Sequence, residues 1–397
     1  MRIVRVTLWE RAQMYALALI YGFYLIARRM LKWAWNGAAF FQLHERDTPP
    51  ACLVDSTLGK HSYVKIKGIK FHYVEAGKRE NPLVLLLHGF PDCWISWRKQ
   101  MSTLAEFYRI ISLDLKGFGD SDKPANSSQY SIEILIEELK EFIHAMGVQE
   151  CILIGHDLGG LLGWYLAATH KSVIKNFIAI SSPHPNFYWK GVGGESVFNQ
   201  TWLHFSRLPI LPEIDVRTED LAVITATYKH LYSKKPSQQA EQNYIEAYKY
   251  VFSRKEDWTG PINYFRNLPF TRLYSEGREK IKTPTLLIIG NADKSISLEH
   301  IVQSTKYLEK FSINVVDKAG HFPHQENPEE VISFINEFLQ SEEPVKEKPA
   351  SKGIVSSLLG STVKYGNQMF EAVHKRTNEV VNGLPGKMML NIGQLNT

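Results

Sequence analysis

A chain that sets Gly155-His156-Asp157-Leu158-Gly159-Gly160 between the apolar run Cys151 to Ile154 and a helical stretch beginning at Leu161 has few folds open to it. Glycines two residues either side of Asp157 let the backbone bend sharply from strand into helix, which leaves the aspartate at the top of a sheet. At a helix N-terminus its carboxylate gains from the dipole and from free N–H groups, which keep it ionised. An ordinary capping aspartate satisfies the same pattern. The rest of the chain has to decide between a cap and a nucleophile.

Leu83 to Leu87, Ile110 to Asp114, Cys151 to Ile154 and Asn176 to Ile180 are short, nearly continuous apolar runs, as strands covered on both faces require. Helical stretches at Ile132 to Met146 and Leu161 to His170 alternate with them, which predicts an α/β class with a doubly wound, mostly parallel sheet. Tyr63 to Lys67 and Lys70 to Glu75, separated by Gly68, predict an antiparallel hairpin at its entrance. From Pro183 to about Phe270 the strand rhythm stops, which predicts an inserted helical cap. The sheet resumes at Thr285 to Ile289 and Ile313 to Val316, and a helix at Glu329 to Leu339 closes it. The expected division is an N-terminal anchor over 1–45, core over 50–183, cap over 184–270 and core again over 271–340. A Pro, Glu and Lys rich linker over 341–353, an amphipathic helix over 354–382 and a tail over 383–397 follow.

With 46 basic against 41 acidic residues, the charge excess is too slight to argue for a nucleic-acid partner. Cys52, Cys93 and Cys151 are too far apart for a disulfide framework or a zinc spacing, and no metal or cofactor is called for. The sequons at Asn126 and Asn199 do not assign a compartment. Met14 to Ala27 is charge-free and apolar, flanked by Arg11 and by Arg28, Arg29 and Lys32. With neighbouring residues it reaches the length of about 20 that a span needs, or lies shallow with snorkelling flanks. Arg-Arg follows it instead of a small-residue cleavage site, so an uncleaved signal-anchor is expected. A single-pass protein of the endoplasmic reticulum is the reading, with lipid droplets as a further destination.

Three further motifs decide the role of Asp157. His88-Gly89-Phe90-Pro91 follows the strand Leu83 to Leu87, Gly290-Asn291-Ala292-Asp293 follows Thr285 to Ile289, and Gly320-His321 follows Ile313 to Val316. Each falls just past the C-terminal end of a strand, where open α/β sheets bind ligands. The order nucleophile, acid, histidine is that of an α/β-hydrolase fold, with the Phe90 and Leu158 amides as its oxyanion hole. Together with Asp114 to Asp122, Ser182-Pro-His-Pro185 and Gly260 to Asn267, these motifs resemble epoxide hydrolases, and most of all their membrane-anchored animal branch. The resemblance covers roughly Pro50 to Gln340. It implies that Asp157 attacks an epoxide carbon and that His321, oriented by Asp293, activates the water that cleaves the resulting ester to a diol.

The family also supplies two cap tyrosines to protonate the departing oxygen. Here their places fall on Phe265 and, before Leu208-Pro209, on Trp202. Phenylalanine has no donor, and an indole N–H does not give up its proton at ordinary pH. Trp202, Tyr264 and Phe265 are expected to face the nucleophile, with Tyr264, Tyr188 or Tyr228 as the substitute acid. A dehalogenase-like hydrolase that needs no acid, or an impaired lipid-binding homologue, are the alternatives. Aromatic residues such as Phe187, Trp189 and Phe205 suit a lipophilic small-molecule substrate. In 354–382, apolar pairs recur every 11 residues, a period that keeps one straight stripe and suits a second membrane contact or, equally, docking on the protein's own surface or on a partner.

Overall fold

The computed structural model of the protein describes residues 1–190, 196–232, 238–277 and 279–341. The amphipathic helix expected over 354–382, most of the linker before it and the tail after it lie outside the described residues. A short strand β1 (Arg2–Arg5) and the 29-residue helix α1 (Leu8–Asn36) come first. Thr7 starts α1 with a capping box: its hydroxyl accepts from the Glu10 amide while the Glu10 carboxylate accepts from the Thr7 amide. The helical segment Leu8–Phe41 is long and apolar enough to cross a membrane.

The expected hairpin is present as β2 (Lys60–Ile66) and β3 (Ile69–Ala76), antiparallel with Ile66 opposite Ile69. Lys67 and Gly68 both take positive φ, 48° and 90°, the two-residue turn whose twist matches that of the strands. The chain then alternates: β4 (Leu83–Leu87), α2 (Arg98–Leu104), β5 (Arg109–Leu113), α3 (Ile132–Ala145), β6 (Cys151–His156), α4 (Asp157–Thr169) and β7 (Ile174–Ile180). Every residue of β4, β5 and β6 is buried, as a sheet covered on both faces demands. Among the described residues only helices follow: α5 (Pro185–Tyr188), α6 (Gln200–Phe205), α7 (Leu211–Asp215), α8 (Thr218–Tyr232), α9 (Gln238–Val251) and α10 (Glu256–Asn267). Next comes β8 (Thr271–Tyr274), which leaves the main sheet and pairs antiparallel with β1. The main sheet resumes with β9 (Thr285–Gly290) and, after α11 (Leu298–Ser304), β10 (Phe311–Val316); α12 (Pro323–Glu326) and α13 (Pro328–Ser341) finish the described chain.

Eight strands form the main sheet in the order β10-β9-β7-β6-β4-β5-β3-β2, parallel from β10 through β5. The order places the loop after β4 beside the turn after β6, and the loops after β9 and β10 beside each other. That turn is tighter than the sequence suggests, since β6 runs to His156 and α4 starts at Asp157 with no loop between. Asp157 absorbs the whole reversal at φ 47°, and a Cβ on Gly159 would stand 2.3 Å from the Leu87 carbonyl oxygen, so α4 can press on β4 only with glycine there. Farther along α4, the buried Trp164 meets the Phe177 edge, and its indole N–H donates to the Ser182 carbonyl at 2.9 Å. Trp164→Ala removes that packing and leaves a carbonyl unpaired; it should lower stability by about 3–5 kcal/mol, read as a fall in the urea midpoint.

Candidate active site

Asp157 stands beneath the cap, buried, with its two carboxylate oxygens in different environments. Oδ2 accepts the Phe90 amide at 3.1 Å. Gly89 makes that approach possible, because a Cβ there would lie 2.9 Å from the Asp157 Cβ and 2.8 Å from His156 Nδ1. His88 braces the same loop through its Nδ1 on the Gly89 carbonyl at 2.8 Å, while its Nε2 accepts the Leu115 amide at 3.1 Å. Pro91 passes its carbonyl to the Tyr228 hydroxyl at 2.6 Å. In this resting geometry the Leu158 amide makes no hydrogen bond to the carboxylate; as one of the first amides of α4 it needs no helical acceptor.

Oδ1 faces the other way. It accepts the Tyr188 hydroxyl and lies 3.8 Å from His321 Nε2. On the far side of the imidazole, His321 Nδ1 donates to Asp293 Oδ2 at 3.0 Å, and Asp293 Oδ1 is held by the Ser295 and Ile296 amides at 2.8 and 2.9 Å. The three residues named from strand ends thus lie together, with Asp157 and Asp293 on either side of the His321 imidazole.

The electrostatics follow from burial and pairing. Burial acts to lower the His321 pKa, but the charge and hydrogen bond of Asp293, joined by the Asp157 charge, raise it to about 9. Burial acts to raise Asp293, and the charge and hydrogen bond of His321 overcome that and hold it below its usual value. Tyr188 is pushed well above 10, first by burial and then by the Asp157 carboxylate it donates to, so its phenol keeps its proton. Beneath the triad, ligand atoms of Asp92, His156 and His324 lie within 4.8 Å of one another. Asp92 and His324 share the Ser96 hydroxyl at 2.7 and 2.9 Å, and His156 Nε2 meets the His321 carbonyl at 2.8 Å, while Nδ1 of His156 and of His324 have no partner among the described residues. Burial keeps His156 neutral, with a pKa near 4.

Two of the three expected cap residues are placed otherwise than the sequence suggested. Tyr264 turns away: its hydroxyl donates to the Lys116 carbonyl at 2.9 Å and its ring packs on Phe118 and Tyr130. It shares α10 with Phe265, and a one-residue step on a helix swings a side chain by about 100°. Phe265 does reach the cavity. Trp202 packs behind it, its ring centroid 5.2 Å from Phe265 and 5.6 Å from Phe90, and is not part of the cavity wall. The hydroxyl at the nucleophile is that of Tyr188, and the motif Ser182 to Pro185 explains its place. Ser182 Oγ donates to the Asp157 carbonyl at 2.8 Å, Pro185 starts α5, and Asn186 exchanges hydrogen bonds with both backbone groups of Leu273 on β8. Tyr188 ends that clamped helix. Its sequence signal was its distance of only a few residues from a strand end.

Above the carboxylate is a cavity of about 440 Å³, walled largely by apolar side chains, including Phe90, Trp189, Phe198, Leu203 and Phe265. Polar side chains, among them His230, Lys294, Lys318 and Glu326, also line it, so the cavity offers a small molecule an apolar wall beside a charged one.

Residues 82–328 match the family model described as alpha/beta hydrolase fold. "Epoxide hydrolase 4" of Mus musculus is 35% identical over 342 residues, which cover 82% of this chain and 94% of that one. "Epoxide hydrolase 3" of Xenopus tropicalis is 34% identical, over 76% of this chain and 84% of that one. Among solved structures, an epoxide hydrolase from Vigna radiata superposes with a TM-score of 0.59 at 27% identity, covering 72% of this chain and 99% of its own. The chain belongs to the α/β-hydrolase fold family and, within it, to the epoxide hydrolases.

Since Asp293 is what outweighs burial at His321, Asp293→Asn should drop the imidazole midpoint from about 9 to 6.5 or below, as followed by NMR titration. The sign for stability is set by the raised folded-state value. Protonated His321 contributes fully below pH 6.5, and its contribution is lost as pH rises through about 9.

Proposed function

We propose that this hydrolase of the epoxide hydrolase type opens a lipophilic epoxide with Asp157 as nucleophile and Tyr188 as the acid. The observation that carries this is the Tyr188 hydroxyl on Asp157 Oδ1, the oxygen that also faces His321. Oδ2 is held by the Phe90 amide, which leaves Oδ1 to attack. On binding, the epoxide oxygen takes over the Tyr188 hydrogen bond. As Oδ1 forms its bond to the ring carbon and the carbon–oxygen bond breaks, the phenol proton passes to the departing oxygen. The phenol's high pKa suits donation to a strongly basic alkoxide.

Ester formation removes the Asp157 charge, so His321 loses part of what raises its pKa and becomes neutral more readily. Neutral His321, with Asp293 behind it, takes a proton from water, whose oxygen adds to the ester carbonyl carbon. The negative charge gathers on Oδ2, where the Phe90 amide already points and the Leu158 amide is free to join. Collapse expels the diol, whose leaving oxygen takes up the hydroxyl proton of the intermediate; the imidazolium proton then restores the Tyr188 phenol, and one oxygen of water stays in Asp157. The apolar cavity supports a lipophilic substrate, and α1 supports a membrane location, for which we propose the endoplasmic reticulum or the lipid droplet surface. The periodicity of 354–382 supports a second, reversible lipid contact there.

A fatty-acid epoxide turned over once in isotopically labelled water should leave label in Asp157. Tyr188→Phe should cut the rate of ester formation about a hundredfold to ten-thousandfold, while Tyr264→Phe leaves it within a few-fold. A Tyr188→Phe enzyme faster than the parent would mean that the hydroxyl merely blocks the nucleophile. The Trp189 indole N–H, on the cavity wall and without an acceptor among the described residues, makes halide the second leaving group to test. Halide release without diol formation would replace the first reading. The ester breakdown rate should rise with pH to a plateau, with a midpoint below the free enzyme's value of about 9.

A further inference from the structure

We propose that α1 lies flat on a lipid surface instead of crossing it, so that the N-terminus and the active site face the same aqueous side. This rests on the reading of the protein as membrane-associated and concerns how that contact is made.

Both ends of the helix are fastened to the catalytic unit. Before it, β1 pairs with β8 from Arg2 opposite Tyr274 to Arg5 opposite Thr271, the Val6 amide donates to the Phe270 carbonyl at 2.9 Å, and the terminal ammonium meets Glu279 at 2.7 Å. After it, the Asp220 amide donates to the Gln42 carbonyl at 2.9 Å, and two guanidinium nitrogens of Arg46 grip the Asp220 carboxylate, each at 2.8 Å. Asp220 belongs to α8 of the cap.

The stretch between is fastened as well. Tyr15 stacks on Phe270 and Tyr21 on His204. Ala18 and Gly22, four residues apart and the two buried residues of α1, form a seam of small side chains; a Cβ on Gly22 would stand 2.3 Å from Leu208 Cδ1. One turn and more beyond, Arg29 donates through two nitrogens to the buried Asp215, and Lys32 pairs with Glu219. A helix of this length measures about 43 Å. To cross a bilayer it would have to draw the cap's polar backbone and these carboxylates into hydrocarbon, or abandon all of these partners.

The opposite face has no covering. Trp9, Ile20 and Leu31, spaced eleven apart and so on one stripe, are 72%, 63% and 74% exposed, with Phe23 beside them. An apolar strip along a whole helix is more than a water-facing surface ordinarily carries. The charge beside it names the occupant. Of the six basic side chains in residues 1–36, Arg29 and Lys32 are taken up by Asp215 and Glu219, while Arg2, Arg5, Arg11 and Arg28 stay exposed towards the two ends of the helix, against the single acid Glu10. That is the composition of a helix that rests among anionic lipid headgroups. The position also suits the chemistry: α6 meets α1 through His204 and Tyr21, and its Leu203 lines the cavity over Asp157, so one cap helix separates the lipid from the nucleophile.

The test uses the full chain in a Cys52→Ser background, bound to sealed vesicles of phosphatidylcholine and phosphatidylserine. Nitroxides placed by Trp9→Cys, Ile20→Cys and Leu31→Cys report depth, and a membrane-impermeant maleimide added outside reports the side of Arg5→Cys and Lys65→Cys. The flat helix requires three similar depths of about 5–10 Å and labelling of both Arg5→Cys and Lys65→Cys. A deep Ile20 label near the bilayer centre, about 15 Å from either surface, with the two cysteines on opposite sides, would overturn it while leaving membrane association intact. Labels that stay in water on protein that fails to sediment with vesicles would overturn the membrane reading itself and point to a protein partner. As a second measurement, the combined variant Ile20→Ser, Phe23→Ser and Leu31→Ser should lose vesicle sedimentation at least tenfold with turnover of a water-soluble epoxide unchanged. Sedimentation retained with a Trp9→Cys label in this variant still about 5–10 Å deep would count against the stripe.

Discussion

The backbone reversal at Asp157 is the constraint on which the rest of this molecule depends. One residue held at φ 47° turns a buried strand directly into a helix and puts a carboxylate above the sheet edge. An L-residue adopts that conformation at a cost, and the surroundings that hold it there are also the functional ones. The Phe90 amide holds one oxygen, the Tyr188 hydroxyl the other, and Ser182 holds the main-chain carbonyl. The nucleophile, acid and oxyanion donor that we propose are therefore parts of a single mechanical joint. A change in any one shifts the others.

Around that joint the charges are arranged to be used in sequence. Two carboxylates flank one imidazole, which raises its proton affinity while both are ionised. In the mechanism we propose, forming the ester silences one of them and releases the imidazole to act as a base, so that the covalent step prepares the hydrolytic step. The neutral histidines beneath, His156 and His324, contribute dipoles and packing without a competing positive charge.

The cap and the N-terminal helix extend the same logic outward. Elements that close the cavity on one side receive α1 on the other, through Tyr21 and His204 and through Arg29 and Asp215. An apolar helix that binds its own catalytic unit along one face and leaves the other bare sets an apolar surface against the cap helix that lines the cavity.

Much of this was legible in the residues. Near-continuous apolar runs announced a sheet buried on both faces, paired glycines announced the reversal, and Asp293 and His321 were found because strand ends are where such sheets do their chemistry. These signals are local, written within a few residues by steric and hydrophobic rules. What lay beyond them was every choice between faces and between distant partners. Tyr264 and Phe265 are adjacent and both buried, so nothing in the order of residues tells that Phe265 looks into the cavity and Tyr264 away, or that Tyr188 supplies the hydroxyl. The pairing of β1 with β8 and the docking of α1 belong to the same class. Composition made α1 a helix fit for lipid; which stripe meets protein and which stays bare came from contacts between segments far apart in the chain, and only packing in three dimensions brings those together.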